Sequence, residues 1–317
     1  MHIKKENVLQ NNTSPNKFIL LGLSEEYHIQ SILFSILLGI YINALTGNLL
    51  IILLTLVDQT LQTPMYFFLR NLSFLEVCFT SAIVPKMLHN FCSGNKSISF
   101  MGCALQNYFA LFLGGTECFL LASMAYDRYV AICKPLHYSV LMGQKVYTNL
   151  VVASWLSGFL MSFSHTTMVF TMPFCNSNII NHYFCDIPPL LKLACGNTFR
   201  IEITDFVVVV IFATFPFLLI LMSYSGIIAA ISKISSSEGR KKTFSTCSSH
   251  LMVVTLFFGS ACIKYMKPNS TSSPNTDKYL SLFHTIISPA LNPVIYSLRN
   301  KEVKGAFMRL WERTPLD

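Results

Sequence analysis

The sequence predicts an all-α membrane protein, built as a seven-transmembrane helix bundle with a short amphipathic C-terminal helix. Two features of its composition support this fold class. Apolar residues make up 52% of the 317 residues and charged residues only 12%, whereas soluble proteins carry about 25% charged residues. The net charge of +8 is spread along the chain rather than gathered into one block. Neither a soluble globule nor a nucleic-acid-binding arm fits this composition.

Seven segments are apolar and long enough to cross a bilayer, whose hydrocarbon core of about 30 Å takes roughly 20 helical residues. In chain order they are Ser31–Val57, Pro64–Leu88, Met101–Tyr126, Val146–Phe170, Phe206–Ile231, Thr243–Ile263 and Tyr279–Leu298. The second segment is the least secure prediction from hydropathy alone, because Arg70, Glu76 and Lys86 interrupt it. The apolar runs are near-continuous and do not alternate in short blocks, which predicts helices rather than a β-barrel.

The segment Asn300–Arg313, after the last span, has the spacing of a short surface helix. Its apolar and basic residues recur at helical intervals, with Val303, Ala306, Phe307 and Leu310 set against Lys301, Lys304, Arg309 and Arg313. Such a helix lies on the anionic inner leaflet, so membrane lipid is an expected partner. The connections between spans are mostly short, and we therefore expect one membrane domain over residues 1–317.

Glycosylation motifs and cysteines predict that the N-terminus, residues 1–28, is extracellular and that the tail, residues 300–317, is cytoplasmic. The Asn-x-Ser/Thr motifs at Asn11, Asn95 and Asn269 all fall on one face of a seven-span chain, and we expect glycosylation at Asn11. Four cysteines share that face, where an oxidising compartment allows two disulfides: Cys103, Cys175, Cys185 and Cys195. These features together predict a multi-pass protein of the plasma membrane.

A competing interpretation of the same region is a metal site made by Cys175, His182 and Cys185. Their spacing matches no usual zinc pattern, so we expect no metal there. Of the remaining cysteines, Cys78, Cys118, Cys133 and Cys262 lie in or near spans and are expected to pack, whereas Cys92 has no assigned partner.

Charged residues inside predicted spans require an explanation, because an ionised group in a span costs about 2.5–3.5 kcal/mol. Glu76 and Glu117 lie deepest, and two such carboxylates either bind a cation or proton together or stay protonated and hydrogen-bond within the bundle. Asp127 and Arg128 lie at the inner end of the third span. They either anchor the helix or form a charge pair that breaks to expose a surface to a partner. Both interpretations remain open from the residues alone.

Five strings of residues are more specific than any single position. They are Pro64–Leu69 (PMYFFL), Met124–Cys133 (MAYDRYVAIC), Ser223–Tyr224, Phe244–His250 (FSTCSSH) and Pro289–Asn300 (PALNPVIYSLRN). Together they resemble the odorant receptors of the rhodopsin-like, class A family of G-protein-coupled receptors. The resemblance extends over nearly the whole chain.

This resemblance implies an activation switch at the cytoplasmic side. Asp127 would restrain Arg128 in the resting state, and the released Arg128 would contact the G protein. The matching switch positions are Asp127, Arg128, Tyr224, Asn292, Pro293 and Tyr296.

The resemblance also implies a sodium site and two disulfides. The sodium site would be surrounded by Glu76, Glu117, Ser288 and Asn292, with Glu76 standing where most of the wider class has aspartate. The implied disulfides are Cys103–Cys185 and Cys175–Cys195.

The implied ligand pocket lies among the outer halves of the third, fifth, sixth and seventh spans. Its matching positions are Ala110, Leu111, Gly114, Phe212, Phe258, Ala261, Tyr265 and Thr285. Receptors for amines carry an aspartate where this chain has Ala110, so a cationic ligand would lack a counter-charge. We expect a small, neutral ligand, with Tyr265 or Thr285 as its polar anchor. The sequence departs from the family at Phe258, where tyrosine is usual.

The predicted function is that of an odorant receptor that activates the olfactory stimulatory G protein and raises cyclic AMP, without a cofactor and without enzymatic activity. A transporter is disfavoured by the odd number of spans and by the absence of an internal repeat. An intramembrane hydrolase that uses His165 or His284 is disfavoured because the sequence contains no Gly-x-Ser-x-Gly motif and neither histidine has a carboxylate nearby in the chain.

Overall fold

The protein is a bundle of helices in a computed structural model that describes residues 15–24, 26–175, 177–195, 199–265 and 274–312. Within these residues, seven long helical segments are followed by a short eighth helix. We number them α1 (Tyr27–Val57), α2 (Pro64–Ser93), α3 (Phe100–Cys133), α4 (Gln144–Phe170), α5 (Phe199–Ser232), α6 (Ser237–Tyr265), α7 (residues 274–299) and α8 (Lys301–Glu312). Short helical turns at Gln59–Leu61, Pro135–His137, Tyr138–Leu141 and Ile187–Leu191 lie in the connections.

The sixth span differs from the first five in its length of continuous apolar helix. Among the described residues, α1 to α5 are each long and apolar enough to cross a membrane. Helix α6 meets this criterion only as a bent pair, in which Ser237–Ser245 meets Cys247–Ile263 at 45°. It begins at Ser237 rather than at the predicted Thr243, because the charged residues Glu238, Arg240 and Lys241 continue the helix beyond the apolar segment.

Helices α5 and α7 each contain one π-helical segment, which the sequence analysis did not predict. The segments are Val210–Thr214 and Phe283–Ile287, and Pro216 and Pro289 follow them in the next turn. A proline ring clashes with the carbonyl group four residues earlier and removes one hydrogen bond. Widening the preceding turn relieves that clash, and such π-bulges occur often at functional sites. Those carbonyl groups belong to Phe212 and Thr285, two of the predicted ligand-contacting residues.

A small sheet covers the outer end of the bundle. Strand β1 (Lys17–Leu20) pairs antiparallel with β2 (Ser97–Ser99) and parallel with β3 (Ile179–Ile180), so the N-terminal segment joins two loops. Beneath the sheet lies a second apolar core, separate from the main core of the bundle, in which Phe18 and Leu20 are fully buried. The Phe18 ring contacts Phe100 and Phe174 with centroids 5.9 and 5.4 Å apart. This cap closes the side of the bundle on which the ligand pocket was predicted.

Two disulfides hold the loop between α4 and α5, one to α3 and one within the loop itself. Cys103 at the start of α3 is bonded to Cys185, and Cys175 to Cys195, with Cα atoms 5.5 and 5.8 Å apart. These are the pairs that the family resemblance implied. The alternative metal site is wrong, because both of its cysteines are consumed in disulfides. Cys92 is exposed and has a free thiol.

Helix α8 is held against the end of the bundle opposite the sheet by apolar and polar contacts. Val303 and Ala306 are buried, whereas Tyr66 of α2 donates a hydrogen bond to Oε2 of Glu302 at 2.6 Å. Nε of Arg309 lies 2.9 Å from Oδ2 of Asp58. The Thr60 hydroxyl and the Arg309 guanidinium lower the pKa of the Asp58 carboxyl. The predicted amphipathic C-terminal helix therefore exists and packs against the first connection.

Candidate ligand-binding and transduction sites

The predicted ligand-contacting residues lie on α3, α5, α6 and α7, at the end of the bundle that the sheet covers. Gly114 of α3 faces open space, because a Cβ atom added there would meet nothing within 4 Å. Phe212 and Thr285 lie in the two π segments. Ala110, Leu111 and Ala261 are partly buried, and Phe258 is buried. The side chain of Tyr265 and the residue Asn11 lie outside the described residues.

Tyr183, in the loop after α4, extends into this region and was not predicted. Its side chain is fully buried, and its hydroxyl lies 2.9 Å from Oγ1 of Thr285. The Thr285 hydroxyl proton is already donated to the Ser281 carbonyl at 2.9 Å, so the Tyr183 hydroxyl is the donor. Burial raises the pKa of Tyr183 far above its usual value. Tyr183 therefore links the extracellular loop to the π segment of α7.

Two polar residues of α3 hold this loop in place. Gln106 Oε1 accepts a hydrogen bond from the Cys185 backbone N–H at 3.1 Å. Asn107 Nδ2 donates to the Cys185 carbonyl at 2.9 Å. With the disulfide at Cys103, these bonds fix the loop segment that carries Tyr183. The loop's position is thus determined by α3, one of the helices that line the predicted pocket.

Aromatic rings fill the position where the family usually has tyrosine. The Phe258 ring lies 5.2 Å from that of Phe217 and 5.1 Å from that of Phe257. Phe257 in turn contacts the His284 ring at 4.8 Å, and His284 Nδ1 lies 3.2 Å from the Ser260 hydroxyl. At Phe258, aromatic contacts between α5, α6 and α7 are therefore present where a tyrosine would also offer a hydroxyl group for hydrogen bonding.

A buried polar cluster lies below the aromatic layer. Asn292 of α7 donates a hydrogen bond through Nδ2 to Oε1 of Glu76 on α2. Several further buried atoms have no hydrogen-bond partner within the described residues: Asn48 Oδ1, Glu76 Oε2, Ser288 Oγ, Asn292 Oδ1 and the Tyr296 hydroxyl. Glu117 is buried as well, but no hydrogen bond joins it to Glu76, Ser288 or Asn292.

The donor set of this cluster fits a hard cation. Carboxylate, hydroxyl and amide oxygens are the ligands that such cations take. Among the described residues, no group of three His, Cys, Asp or Glu could hold a metal, so a soft transition-metal site does not fit. Of the four residues that the resemblance implied, Glu76 and Asn292 are joined by a hydrogen bond, and the Ser288 hydroxyl, one helical turn before Asn292, is buried without a partner among the described residues.

The charge pair at the inner end of α3 is closed. Asp127 Oδ2 lies 2.5 Å from Nη2 of Arg128. The Tyr138 hydroxyl donates to the other carboxylate oxygen of Asp127 at 2.7 Å. Burial and the Asp127 charge raise the pKa of Tyr138. Sequence reasoning missed Tyr138, because it lies in a short helix outside every predicted span.

His250 joins three helices beside this pair. Its Nε2 lies 3.2 Å from the Leu121 carbonyl of α3, and its Nδ1 lies 2.8 Å from the Tyr224 hydroxyl of α5. A carbonyl only accepts, so Nε2 carries the proton and Tyr224 donates to Nδ1. The string Phe244–His250 indicated that this part of α6 is distinctive. It did not identify the partners of the imidazole.

Arg128, Tyr138 and His250 line a cavity of about 750 Å³. Lys241, Tyr296 and Glu302 are also among its lining residues. The cavity lies between the ends of α2, α3, α6 and α7 that are remote from the sheet. Arg128 therefore borders an open cavity at this end of the bundle.

Comparisons with known proteins agree with this architecture. The family profile described as "Olfactory receptor" matches residues 37–313. Olfactory receptor 10A7 of Homo sapiens is 51% identical over 302 residues, which cover 95% of this chain and 96% of the relative. Olfactory receptor 10A5 of Homo sapiens is 53% identical, with 95% of each chain covered.

The fold also resembles a solved receptor structure. The crystal structure of squid rhodopsin superposes with a TM-score of 0.73 at 17% identity, covering 90% of this chain and 81% of that chain. At that identity the likeness shows the fold alone, a seven-helix receptor bundle. The relatives, in contrast, are similar over almost their whole length. The chain therefore belongs to the olfactory receptor family, a family of membrane receptors rather than enzymes.

Proposed function

We propose that this receptor binds a small, neutral, largely apolar odorant beneath the extracellular cap and activates the olfactory stimulatory G protein, raising cyclic AMP. One observation carries the proposal: a single helix, α3, contributes to both ends of the transduction path. Gly114 borders open space at one end, and Arg128 borders the cytoplasmic cavity at the other. The 18 residues from Ala110 to Arg128 span about 27 Å, so odorant and G protein act on each other through a change of state rather than by contact.

The chemistry around Gly114 favours a neutral ligand. Ala110 provides no counter-charge one turn before Gly114, and Phe258 and its neighbouring rings provide apolar surface. Thr285 provides a hydroxyl, and the Tyr183 hydroxyl is already directed at it. An odorant with one hydrogen-bond acceptor would replace Thr285 as the acceptor of the hydrogen bond that the Tyr183 hydroxyl donates. We also propose Tyr265 as a second hydrogen-bonding residue for the odorant.

The resting state is held by contacts that activation must break. The Tyr138 hydroxyl binds Asp127 of α3 from the neighbouring short helix, and the Asp127–Arg128 pair holds the guanidinium within α3. The hydrogen bonds of His250 to Leu121 and Tyr224, which we call the His250 bridge, join α6 to α3 and α5. When α6 moves away from α3, the bond from His250 to the Leu121 carbonyl is lost. Arg128 would then face a wider cavity together with Lys241 and Arg240, and Tyr224, Pro293 and Tyr296 would rearrange with it.

Three further assignments belong to the same proposal. The N-terminus is extracellular and glycosylated at Asn11, and the C-terminus is cytoplasmic in the plasma membrane. Sodium would be held by Glu76, Ser288 and Asn292, with Glu117 as a nearby charge, and would supply positive charge to the buried carboxylates. The oxygens without hydrogen-bond partners in this cluster support that assignment.

A cyclic AMP assay tests the proposed coupling. Cells that express the chain with the olfactory G protein are screened with mixtures of volatile compounds. Arg128→Ala should remove the response, whereas the control Arg200→Ala, which changes an exposed arginine at the outer end of α5, should retain it. An undiminished response in Arg128→Ala at equal surface expression would overturn the proposed coupling.

A further inference from the structure

A small cavity lies beside the sheet, between the N-terminal segment, the first turns of α1, the last turns of α2 and the loop after α4. Its volume is about 10 Å³, which is the room that one water molecule or one monatomic ion takes. None of the residues that the sequence predicted for ligand, sodium or G-protein binding lines it. Its polar lining residues are Ser24, Gln30, Asn90, Lys96 and Tyr183. We call it the Asn90 cavity.

The side chain of Asn90 requires a partner in this cavity. Asn90 lies in the last turn of α2, and only 5% of its surface is exposed. Neither its Nδ2 nor its Oδ1 atom has a hydrogen-bond partner among the described residues. A buried amide without a partner destabilises a fold, and such groups are therefore rare in native proteins. Because Asn90 lines the cavity, an occupant of the cavity can supply the partner.

The nitrogen atoms around the Asn90 cavity have protons to donate. Nζ of Lys96 carries three protons and donates one to the Leu21 carbonyl at 3.3 Å. Nε2 of Gln30 carries two and donates one to the Ser24 carbonyl at 2.8 Å. Nδ2 of Asn90 keeps both of its protons. Three side chains that line one small space can therefore each donate a hydrogen bond to the same occupant.

The charge at the Asn90 cavity is positive. Lys96 is partly buried and forms no ion pair with any carboxylate of the described residues. No aspartate or glutamate is among the residues that line the cavity. A partly buried ammonium group favours an anion beside it and disfavours a cation. The small volume excludes a phosphate or a carboxylate ligand, so the cavity matches a monatomic anion.

We propose that the Asn90 cavity is a binding site for a chloride ion. The ion would accept hydrogen bonds from Nδ2 of Asn90, Nζ of Lys96 and Nε2 of Gln30, and would thus join α2 and the loop after it to α1. Tyr183 lines the same cavity, so the ion would also support the loop segment whose hydroxyl group meets Thr285. The cavity lies at the end of the bundle that we propose is extracellular, where chloride is the abundant monatomic anion.

Thermal unfolding of the purified full-length receptor tests the site. The melting temperature is measured in sodium chloride and in sodium gluconate at the same concentration, so that the sodium concentration and the ionic strength stay constant. Chloride should raise it by about 1–3 °C relative to gluconate, because a ligand that binds only the folded state stabilises that state. Bromide should act as chloride does. Equal melting temperatures in the two salts would show that the cavity holds only water, and would overturn the proposal.

Three variants distinguish this site from a general effect of the salt. Lys96→Met removes the positive charge and should abolish the chloride-dependent shift. Asn90→Leu replaces the unpartnered amide with an apolar side chain of similar size. It should abolish the shift without lowering the melting temperature in gluconate, since a buried polar group without a partner is removed. Lys17→Met is the control, because Lys17 is an exposed lysine of β1 that does not line the cavity, and it should keep the full shift. A shift of unchanged size in Asn90→Leu would overturn the proposal.

Discussion

The Tyr183 hydroxyl, in the loop after α4, donates a hydrogen bond of 2.9 Å to Thr285 in the π segment of α7. Thr285 lies four residues before Pro289, whose ring explains the widened turn. The loop after α4 therefore contacts the turn of α7 whose backbone is π-helical rather than α-helical. An odorant that competed for this bond, as we propose, would act directly on that turn.

The direction of this hydrogen bond predicts an asymmetry between two substitutions. Thr285→Val leaves the buried Tyr183 hydroxyl without an acceptor, which costs about 1–3 kcal/mol. Tyr183→Phe removes the donor, but the Thr285 hydroxyl still donates to Ser281. We expect a clearly lower melting temperature for solubilised Thr285→Val and a smaller change for Tyr183→Phe. The reverse order would show that the donor has been assigned wrongly.

Tyr138 should restrain basal signalling. Its hydroxyl donates to the Asp127 carboxylate at 2.7 Å, and a hydrogen bond to a charged group contributes about 1.5–3 kcal/mol. Tyr138→Phe should therefore raise the fraction of active receptor by roughly tenfold if the bond is broken on activation. Cyclic AMP without odorant, at equal surface expression, measures this. Tyr147→Phe is the control, because Tyr147 packs against Phe67 away from the charge pair.

The His250 bridge predicts that two substitutions are not additive. Tyr224→Phe removes the donor to Nδ1, and His250→Phe removes both bonds of the imidazole. Residues within one hydrogen-bond network show interaction energies of about 0.5–3 kcal/mol. The double variant should therefore lose less stability than the sum of the two single losses. Strict additivity in thermal unfolding would contradict the bridge.

Substitution by alanine should change the melting temperature differently at two glycines, Gly158 and Gly259. A Cβ atom at Gly158 of α4 would lie 2.7 Å from the Phe112 carbonyl of α3, so Gly158→Ala must push the two helices apart. Overpacking of this kind costs about 1–3 kcal/mol. A Cβ atom at Gly259 of α6 meets nothing within 4 Å, and Gly259→Ala should leave the melting temperature unchanged or raise it. Equal melting temperatures for the two variants would argue against this contact between α3 and α4.

The sequence predicted the spans and the family strings because both are local properties of the chain. Apolar length identifies α1 to α5, and the string around Asp127 and Arg128 predicts the switch. The partners of those residues come from elsewhere in the chain, and for that reason Tyr138 and the acceptor of His250 were missed. Tyr183 was missed because nothing in a loop sequence indicates that one side chain turns into the bundle.

The two π segments show a different limit. Pro216 and Pro289 are present in the sequence beside the two segments. A proline can kink a helix, break it or widen one turn, and which of these occurs depends on how neighbouring helices satisfy the freed carbonyl. The beginning of α6 at Ser237 was missed for a related reason, since hydropathy does not detect the polar continuation of a helix into water.

The most direct test of the account separates odorant binding from signalling with two variants on α3. Once a responding odorant is known, its binding and the cyclic AMP response are measured together. Ala110→Asp places an unpaired carboxylate beside a neutral ligand and should abolish both. Arg128→Ala should retain binding within about threefold, because about 27 Å separates it from Ala110, and should abolish the response. Loss of binding of that odorant in Arg128→Ala, or a normal response in either variant at equal surface expression, would contradict the account.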